Sequence, residues 1–174
     1  MRIAGDGFTL RPWRKGDVAD IVRFGNNRAI WRNLTHRFPH PYTRKDAKEW
    51  IATSNAYPED QRNWAIEFDG RAVGAVGFER KTGLHTRTAE IGYWLGEPYW
   101  GRGLATAALR IATDVACSPA FDFIRIQAGI MSWNPASCRV AEKCGYTLEA
   151  RLKKAVFKDE AVCDYLIYVR FPDT

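Results

Sequence analysis

The sequence predicts an α/β fold, one domain with a mixed, mostly antiparallel sheet flanked by helices. Three observations carry this. Between Arg62 and Leu95 three strand-like runs follow one another, the first and third with apolar residues at every second position. After residue 100, helical stripes alternate with short strand-like runs. With 174 residues, 46% of them hydrophobic, the chain is long enough to bury one self-sufficient core, and no linker, repeat or low-complexity segment divides it.

In chain order, a short strand is expected around Phe8–Arg11. Asp17 is placed to cap a helix whose Val18, Ile21 and Val22 share one face, and Gly25-Asn26-Asn27 ends it. Arg28–Tyr42, with Pro39 and Pro41 among aromatic and basic residues, reads as broken helix and loop. Thr43 with Asp46 resembles a capping box opening a helix that turns Ala47, Trp50 and Ile51 inward. Trp64, Ile66 and Phe68 then alternate with Ala65 and Glu67, Asp69-Gly70 signals a type I′ hairpin, and Ala72–Phe78 runs back. A third strand, Thr88–Leu95, puts Ala89, Ile91, Tyr93 and Leu95 on one face and Glu90, Gly92 and Trp94 on the other.

The second half alternates helix and strand. A helix opens near Gly103 with Leu104, Ala108, Ile111 and Val115 as its core stripe, and Ser118-Pro119 stops it. Phe123–Gly129 is a strand. Asn134-Pro135 starts another helix as N-cap and first-turn proline, and Gly145 ends it. Strands near Tyr146–Phe157 and Ala161–Val169 close the chain.

Charge and composition narrow the classes. Lys and Arg number 26 against 20 Asp and Glu, a net of +6. Residues 1–42 hold eight of the basic residues (Arg2, Arg11, Arg14, Lys15, Arg23, Arg28, Arg32, Arg37) against Asp6, Asp17 and Asp20, so +5 of that excess lies there. Such an excess suits nucleic acid, an anionic surface or a phosphorylated small molecule. No apolar run approaches the roughly 18 residues of a membrane-spanning helix, and the first ten residues lack the apolar segment of a secretory signal. A cytoplasmic protein without a membrane partner is expected. Cys117, Cys138, Cys144 and Cys163 form no C-x-x-C pair, and the three histidines add no ligand-like cluster. Neither a metal site nor a disulfide framework is suggested.

The chemistry concentrates at Gly101-x-Gly103-x-Ala105, between a strand and a helix. Positions without bulky side chains let an anion approach the backbone, where the first helical N–H groups and the positive end of the dipole meet it. A pyrophosphate suits such a loop, and Arg102 can add a charge-assisted contact. A Walker A loop is absent. A dinucleotide fingerprint lacks its third glycine, and Asp122 precedes the strand at whose end the ribose-binding acid belongs. A glycine turn with no ligand is the bland alternative for this loop taken alone.

The loop does not stand alone. Trp100-Gly101-Arg102-Gly103-Leu104-Ala105 resembles the Q/R-x-x-G-x-G/A pyrophosphate loop of the GNAT superfamily of acyl-CoA-dependent N-acetyltransferases, with Trp100 in place of the usual first residue. Ala89–Leu95 resembles the strand that this family splays to receive pantetheine. The run from Asn134 through Ser137 and Val140 to Tyr146 resembles its second acetyl-CoA motif. Pro39-His40-Pro41-Tyr42-Thr43, then Ala47, Trp50 and Ile51, and Asp164 near the end, are most similar to the RimJ/RimL-type branch. The resemblance covers nearly the whole chain. It implies a single GNAT domain, with residues 1–60 as a helical substrate-side wall and 61–174 as the sheet and the acetyl-CoA site.

By that resemblance, acetyl-CoA is the co-substrate and no metal is needed. The backbone of Gly101, Gly103 and Ala105, with Arg102, Leu104 and Thr106 beside it, would hold the pyrophosphate. The backbone of Trp94 and Leu95, and Asn134, would lie along pantetheine, and an amide there would stabilise the oxyanion. Ser137 would assist thiolate departure by hydrogen bonding, while a serine bonded to backbone is the plain alternative. An amine must lose a proton to become the nucleophile, and Glu90 is the best candidate base, with a merely hydrogen-bonded glutamate as its bland reading. Some relatives carry a carboxylate near the position of Val156, where this chain has none. Asp164 and Tyr165 are weaker candidates. Trp31, Phe38 and Tyr42, with His36 and His40, lie in the stretch that forms the substrate wall in this branch, with a dimer contact or simple cover for the core as their alternative readings, and His85 reads as a solvated loop residue. The expected reaction is direct acetyl transfer to a primary amine, preferably a protein N-terminus. A small amine such as an antibiotic or polyamine is the enzymatic alternative, and a non-catalytic acyl-CoA-binding module another. Nucleic acid is the disfavoured partner, and a homodimer is an assembly that relatives often adopt.

Overall fold

The computed structural model describes residues 1–58 and 61–172. The expected junction at residue 60 and the expected domain end at residue 174 lie outside them. Eight strands form one sheet: β1 (Ile3–Ala4), β2 (Thr9–Arg11), β3 (Arg62–Phe68), β4 (Arg71–Arg80), β5 (Thr88–Leu95), β6 (Arg125–Met131), β7 (Thr147–Lys158) and β8 (Ala161–Arg170). Five α-helices flank it among the described residues: α1 (Val18–Gly25), α2 (Arg28–Trp31), α3 (Arg44–Asn55), α4 (Leu104–Ala116) and α5 (Pro135–Lys143). The strand order is β1-β2-β3-β4-β5-β6-β8-β7, antiparallel throughout except for the β5–β6 pair. The mixed, mostly antiparallel α/β architecture is the one predicted.

Local signals act where they were read. Asp69 and Gly70 both have positive φ, 48° and 72°, and turn β3 into β4. Thr43 and Asp46 form a reciprocal capping box at α3. Asn134 accepts the Ser137 N–H at 3.2 Å, with Pro135 in the first turn of α5.

Three readings are corrected. The carboxylate of Asp17 does not cap α1. It accepts two bonds from the buried Arg11 guanidinium, both at 2.8 Å, and one from the Arg14 N–H at 2.7 Å. The buried face of α4 is Leu104, Ala108, Leu109, Ala112, Thr113 and Ala116, with Ile111 and Val115 half-buried at its flank. The rotation follows from Thr113, whose hydroxyl donates to the Leu109 carbonyl and shares a 2.8 Å hydrogen bond with Tyr146, so a polar residue occupies the core stripe. Residues 1–60 are not only a helical wall, since β1 and β2 extend the sheet through β3. Two and three residues are too short to show a period.

Arg11 is 1% exposed, and Glu67 contacts its Nε on the side away from Asp17. A buried guanidinium with one partner removed keeps its desolvation cost and loses the compensation. Asp17→Ala should therefore destabilise the fold by about 3 kcal/mol, the lower end of the range because Glu67 remains. Chemical denaturation at neutral pH checks this, and a loss within the ~0.5 kcal/mol of an ordinary surface change would contradict it.

Candidate active site

The one parallel strand pair among the described residues creates an opening. β5 and β6 pair only from Thr88–Arg125 to Glu90–Gln127, after which both strands run on without each other. The β4–β5 ladder keeps unbroken register and is bracketed by Lys81 N–H to Thr88 O at 2.9 Å and Gly96 N–H to Val73 O at 2.7 Å. Alternation between these bonds turns the backbone groups of Glu90, Gly92 and Trp94 toward β4. Those of Tyr93 and Leu95 turn toward the opening. Trp94, expected to offer its backbone to the cleft, thus yields that place to Tyr93. The Leu95 carbonyl accepts the Trp100 indole N–H at 2.6 Å, which ties the glycine loop to the end of β5.

At that loop Gly101 and Gly103 have φ of 75° and 79°, and a Cβ added at either would meet nothing within 4 Å. Gly103 is the N-cap of α4 and offers no side-chain cap. The first helical bond runs from Ala107 N–H to Gly103 O at 3.0 Å, so the N–H groups of Leu104, Ala105 and Thr106 precede it at the positive end of a 13-residue helix. An exposed, uncapped helix start behind two left-handed glycines fits the pyrophosphate of a CoA thioester. The Arg102 guanidinium lies 5.6 Å from the Tyr99 ring centroid, at the edge of the loop.

On the α5 side of the opening, Ser137 Oγ lies 2.6 Å from the Tyr93 hydroxyl, which also reaches the Ser137 carbonyl at 3.1 Å. Burial pushes the Tyr93 phenol well above its ordinary range. On the opposite face of β5, Glu90 Oε2 accepts from Gln127 Nε2 at 2.6 Å and from Lys81 Nζ at 3.3 Å. Tyr165 from β8 crosses β6 where Gly129 has no side chain, since a Cβ there would lie 1.8 Å from its hydroxyl. Burial, with the Glu90 charge adding to it, pushes that phenol up to about 12. The structure thus brings Glu90, Gln127, Gly129 and Tyr165 to one face of the cleft. Asp164 is elsewhere. Its carboxylate accepts the Lys154 N–H at 2.8 Å and Arg151 Nε at 2.5 Å, which hold it below its usual range.

The wall over this face comes from residues 26–43. Phe38 meets the Trp94 ring edge-on at 5.7 Å, and Trp31 stacks on His40 at 5.3 Å. Tyr42, expected to touch the acceptor, is 4% exposed beneath Phe38, with its N–H on Asn26 Oδ1. It is a core residue. The wall is clamped to the β7–β8 hairpin: Arg28 donates to Asp159 at 2.8 Å, with Arg32 at 3.8 Å, and Lys158 Nζ reaches the Leu34 carbonyl at 2.7 Å over the Trp31 ring. Arg37 pairs with Glu79 at 2.7 Å. His36 and His85 are exposed.

Tyr93, Gln127 and the Asp159 clamp were missed as contributors from sequence. The alternation of β5 already put Tyr93 on one face with Ala89, Ile91 and Leu95, but nothing local joined it to Ser137.

A fold of this topology, with a splayed parallel pair beside a glycine-lined helix start, defines an acyl-CoA-binding transferase class. The family model for the acetyltransferase (GNAT) domain matches residues 8–147. The chain belongs to the GNAT acetyltransferase family, whose co-substrate is acetyl-CoA. It is 34% identical over 118 residues to the ribosomal-protein-serine acetyltransferase of Escherichia coli K12, a match spanning 66% of this chain and 65%, just under two thirds, of that protein. It is 24% identical over 148 residues to the spermidine N(1)-acetyltransferase of the same strain, across 85% of this chain and 77% of that one. Among solved structures, the RimL ribosomal L7/L12 alpha-N-protein acetyltransferase in complex with coenzyme A superposes with a TM-score of 0.82 at 20% identity, covering 98% of both chains. That likeness establishes the fold. No helix among the described residues is long and apolar enough to cross a membrane, and no group of three or more His, Cys, Asp and Glu there is arranged to hold a metal.

Proposed function

We propose that the protein transfers acetyl from acetyl-CoA directly to a protein N-terminal amine. The observation that carries the choice of acceptor is the charge of the wall. Arg28, Arg32, Arg37 and Lys158 line it, and the nearby carboxylates Asp159, Glu79 and Glu90 are each engaged by an arginine or lysine. A polyamine needs unengaged carboxylates to replace its hydration. A peptide N-terminus brings one ammonium to the reacting centre and lays neutral or acidic residues along the cationic rim.

Acetyl-CoA, when bound, supplies the acyl group and the thiolate leaving group. The loop at Gly101 and Gly103 with the start of α4 would hold its pyrophosphate, and the Tyr93 and Leu95 backbone would pair with pantetheine. The inward N–H groups of those two residues are the donors placed for the carbonyl oxygen as it gains charge. Glu90 takes the amine proton through water, held by Gln127 and Lys81 in a fixed orientation. Ser137 donates a hydrogen bond to the departing sulfur. Trp31 and Phe38 form the aromatic part of the acceptor wall.

An acceptor panel of N-terminal peptides, spermidine and aminoglycosides, with products identified by mass spectrometry, tests this. Acetylation should fall on peptide α-amines. Peptides with acidic residues after the first position should react faster, an advantage that shrinks between roughly 50 and 500 mM salt as the Debye length falls from about 14 to about 4 Å. Turnover of polyamines alone would overturn the acceptor assignment, and tight acetyl-CoA binding without turnover of any amine would favour a non-catalytic module.

A further inference from the structure

We propose that Tyr93 is a positioning residue for acetyl transfer, acting through Ser137 to keep the serine hydroxyl hydrogen free for the leaving sulfur. The inference rests on the reading of Ser137 as donor to the thiolate.

A serine in the first turns of a helix has an easy alternative use for its hydrogen, a bond back to a backbone carbonyl one turn earlier. A hydroxyl so engaged is lost to the cleft. The surroundings of Ser137 work against that outcome. Its N–H is held by Asn134 Oδ1 at 3.2 Å, which fixes the backbone. Its Oγ lies 2.6 Å from the Tyr93 hydroxyl, which carries a single hydrogen and has two acceptors within reach, Oγ and the Ser137 carbonyl at 3.1 Å. When that hydrogen goes to Oγ, the serine accepts from Tyr93 and keeps its own hydrogen for a third partner. When it goes to the carbonyl, the serine must donate back to the phenol oxygen. The 2.6 Å contact is common to both arrangements, and the chemistry of the two hydroxyls favours the first: a phenol is the more acidic and better donor, and an aliphatic hydroxyl oxygen the better acceptor. Burial keeps the phenol protonated and so a donor at every working pH.

The position of Tyr93 adds a second reason. Its backbone N–H and carbonyl face the opening beyond Glu90, where β5 has no strand partner on that side. One residue therefore lines the path for pantetheine with its main chain and anchors Ser137 with its side chain. Any thioester bound along β5 is registered against the serine by the same residue. As the C–S bond breaks, its electron pair passes to sulfur, and the chain Tyr93 O–H to Ser137 O–H to sulfur places two aligned donors behind the new charge.

Tyr93→Phe, Ser137→Ala and the double variant, compared by kcat, by KM for acetyl-CoA and by thermal melting, test this. The phenylalanine keeps the packing and removes only the hydroxyl. Tyr93→Phe should lower kcat about tenfold, as one lost hydrogen bond does, with KM for acetyl-CoA unchanged. Ser137→Ala should lower kcat further, and the double variant should be no slower than Ser137→Ala alone. A merely structural tyrosine would shift melting without this non-additivity. Unaltered kcat in Tyr93→Phe beside an impaired Ser137→Ala, or a double variant slower than Ser137→Ala by the full Tyr93→Phe factor, would overturn the role of Tyr93. Unaltered kcat in Ser137→Ala would remove the donor reading itself and the inference with it.

Discussion

Replacing Gly103 with valine should lower acetyl-CoA affinity at least about a hundredfold while the chain remains folded, about 2.8 kcal/mol at 1.4 kcal/mol per tenfold. Two effects add. The residue sits at φ 79°, a conformation that costs a β-branched residue roughly 1–2 kcal/mol. Its new side chain would then project into the open space in front of the uncapped α4 N–H groups, where nothing in the protein lies within 4 Å of the Cβ. Steric damage to the fold is therefore small, and the loss falls on the anion cradle. Gly7→Val is the matched control, since Gly7 has φ 72° and equally open surroundings but lies beyond β1, far from the loop in sequence. Calorimetric titration with CoA should show binding lost in Gly103→Val and kept in Gly7→Val, with comparable drops in melting temperature. Unchanged affinity in Gly103→Val would remove the assignment of the loop.

What could be read from sequence was what neighbouring residues decide. The Asp69-Gly70 turn, the Thr43–Asp46 box and the Asn134-Pro135 helix start depend on conformations within four positions, and each formed as read. The glycine loop is of the same kind, because the shape proposed to hold the pyrophosphate lies in the local φ of Gly101 and Gly103. The parts that escaped are pairings over long separations. Tyr93 and Ser137 are 44 positions apart and Arg28 and Asp159 are 131 apart. Asp17 had a sound local use as a cap, and a buried arginine six residues earlier claimed its carboxylate instead. Tyr42 had the composition of a wall residue, but which aromatics of a loop face outward is set only when Phe38 covers Trp94.

The charge excess of residues 1–42 separates in the same way. Arg2, Arg11 and Arg14 all converge on Glu67 of β3, so part of the excess is internal structure. Arg28, Arg32 and Arg37 stand on the wall and pair with carboxylates from the β7–β8 hairpin and from β4. Six of the eight basic residues thus fall into two populations, and of these only the second bears on the proposed acceptor.

Glu90→Gln should lower kcat/KM for a peptide acceptor about a hundredfold at pH 7, the lower part of the range for losing a general base. Glutamine retains the shape and accepts from Gln127 and Lys81 as the glutamate oxygen does at 2.6 and 3.3 Å, so the cleft keeps its geometry. What is lost is the capacity to take a proton. An α-amine has an ordinary pKa of about 7.7–8.0, so at pH 7 most acceptor molecules still carry the proton that must leave before attack. As pH rises through that value the acceptor arrives already neutral, and less is asked of the base. The ratio of wild-type to variant kcat/KM should therefore shrink steadily from pH 7 to pH 9. A structural glutamate would behave differently, because a distorted cleft is distorted at every pH. Steady-state rates across that interval separate the two. A pH-independent defect would reduce Glu90 to a partner of Gln127, and full activity at pH 7 would move the base elsewhere on the face that Tyr165 and Gly129 share with it.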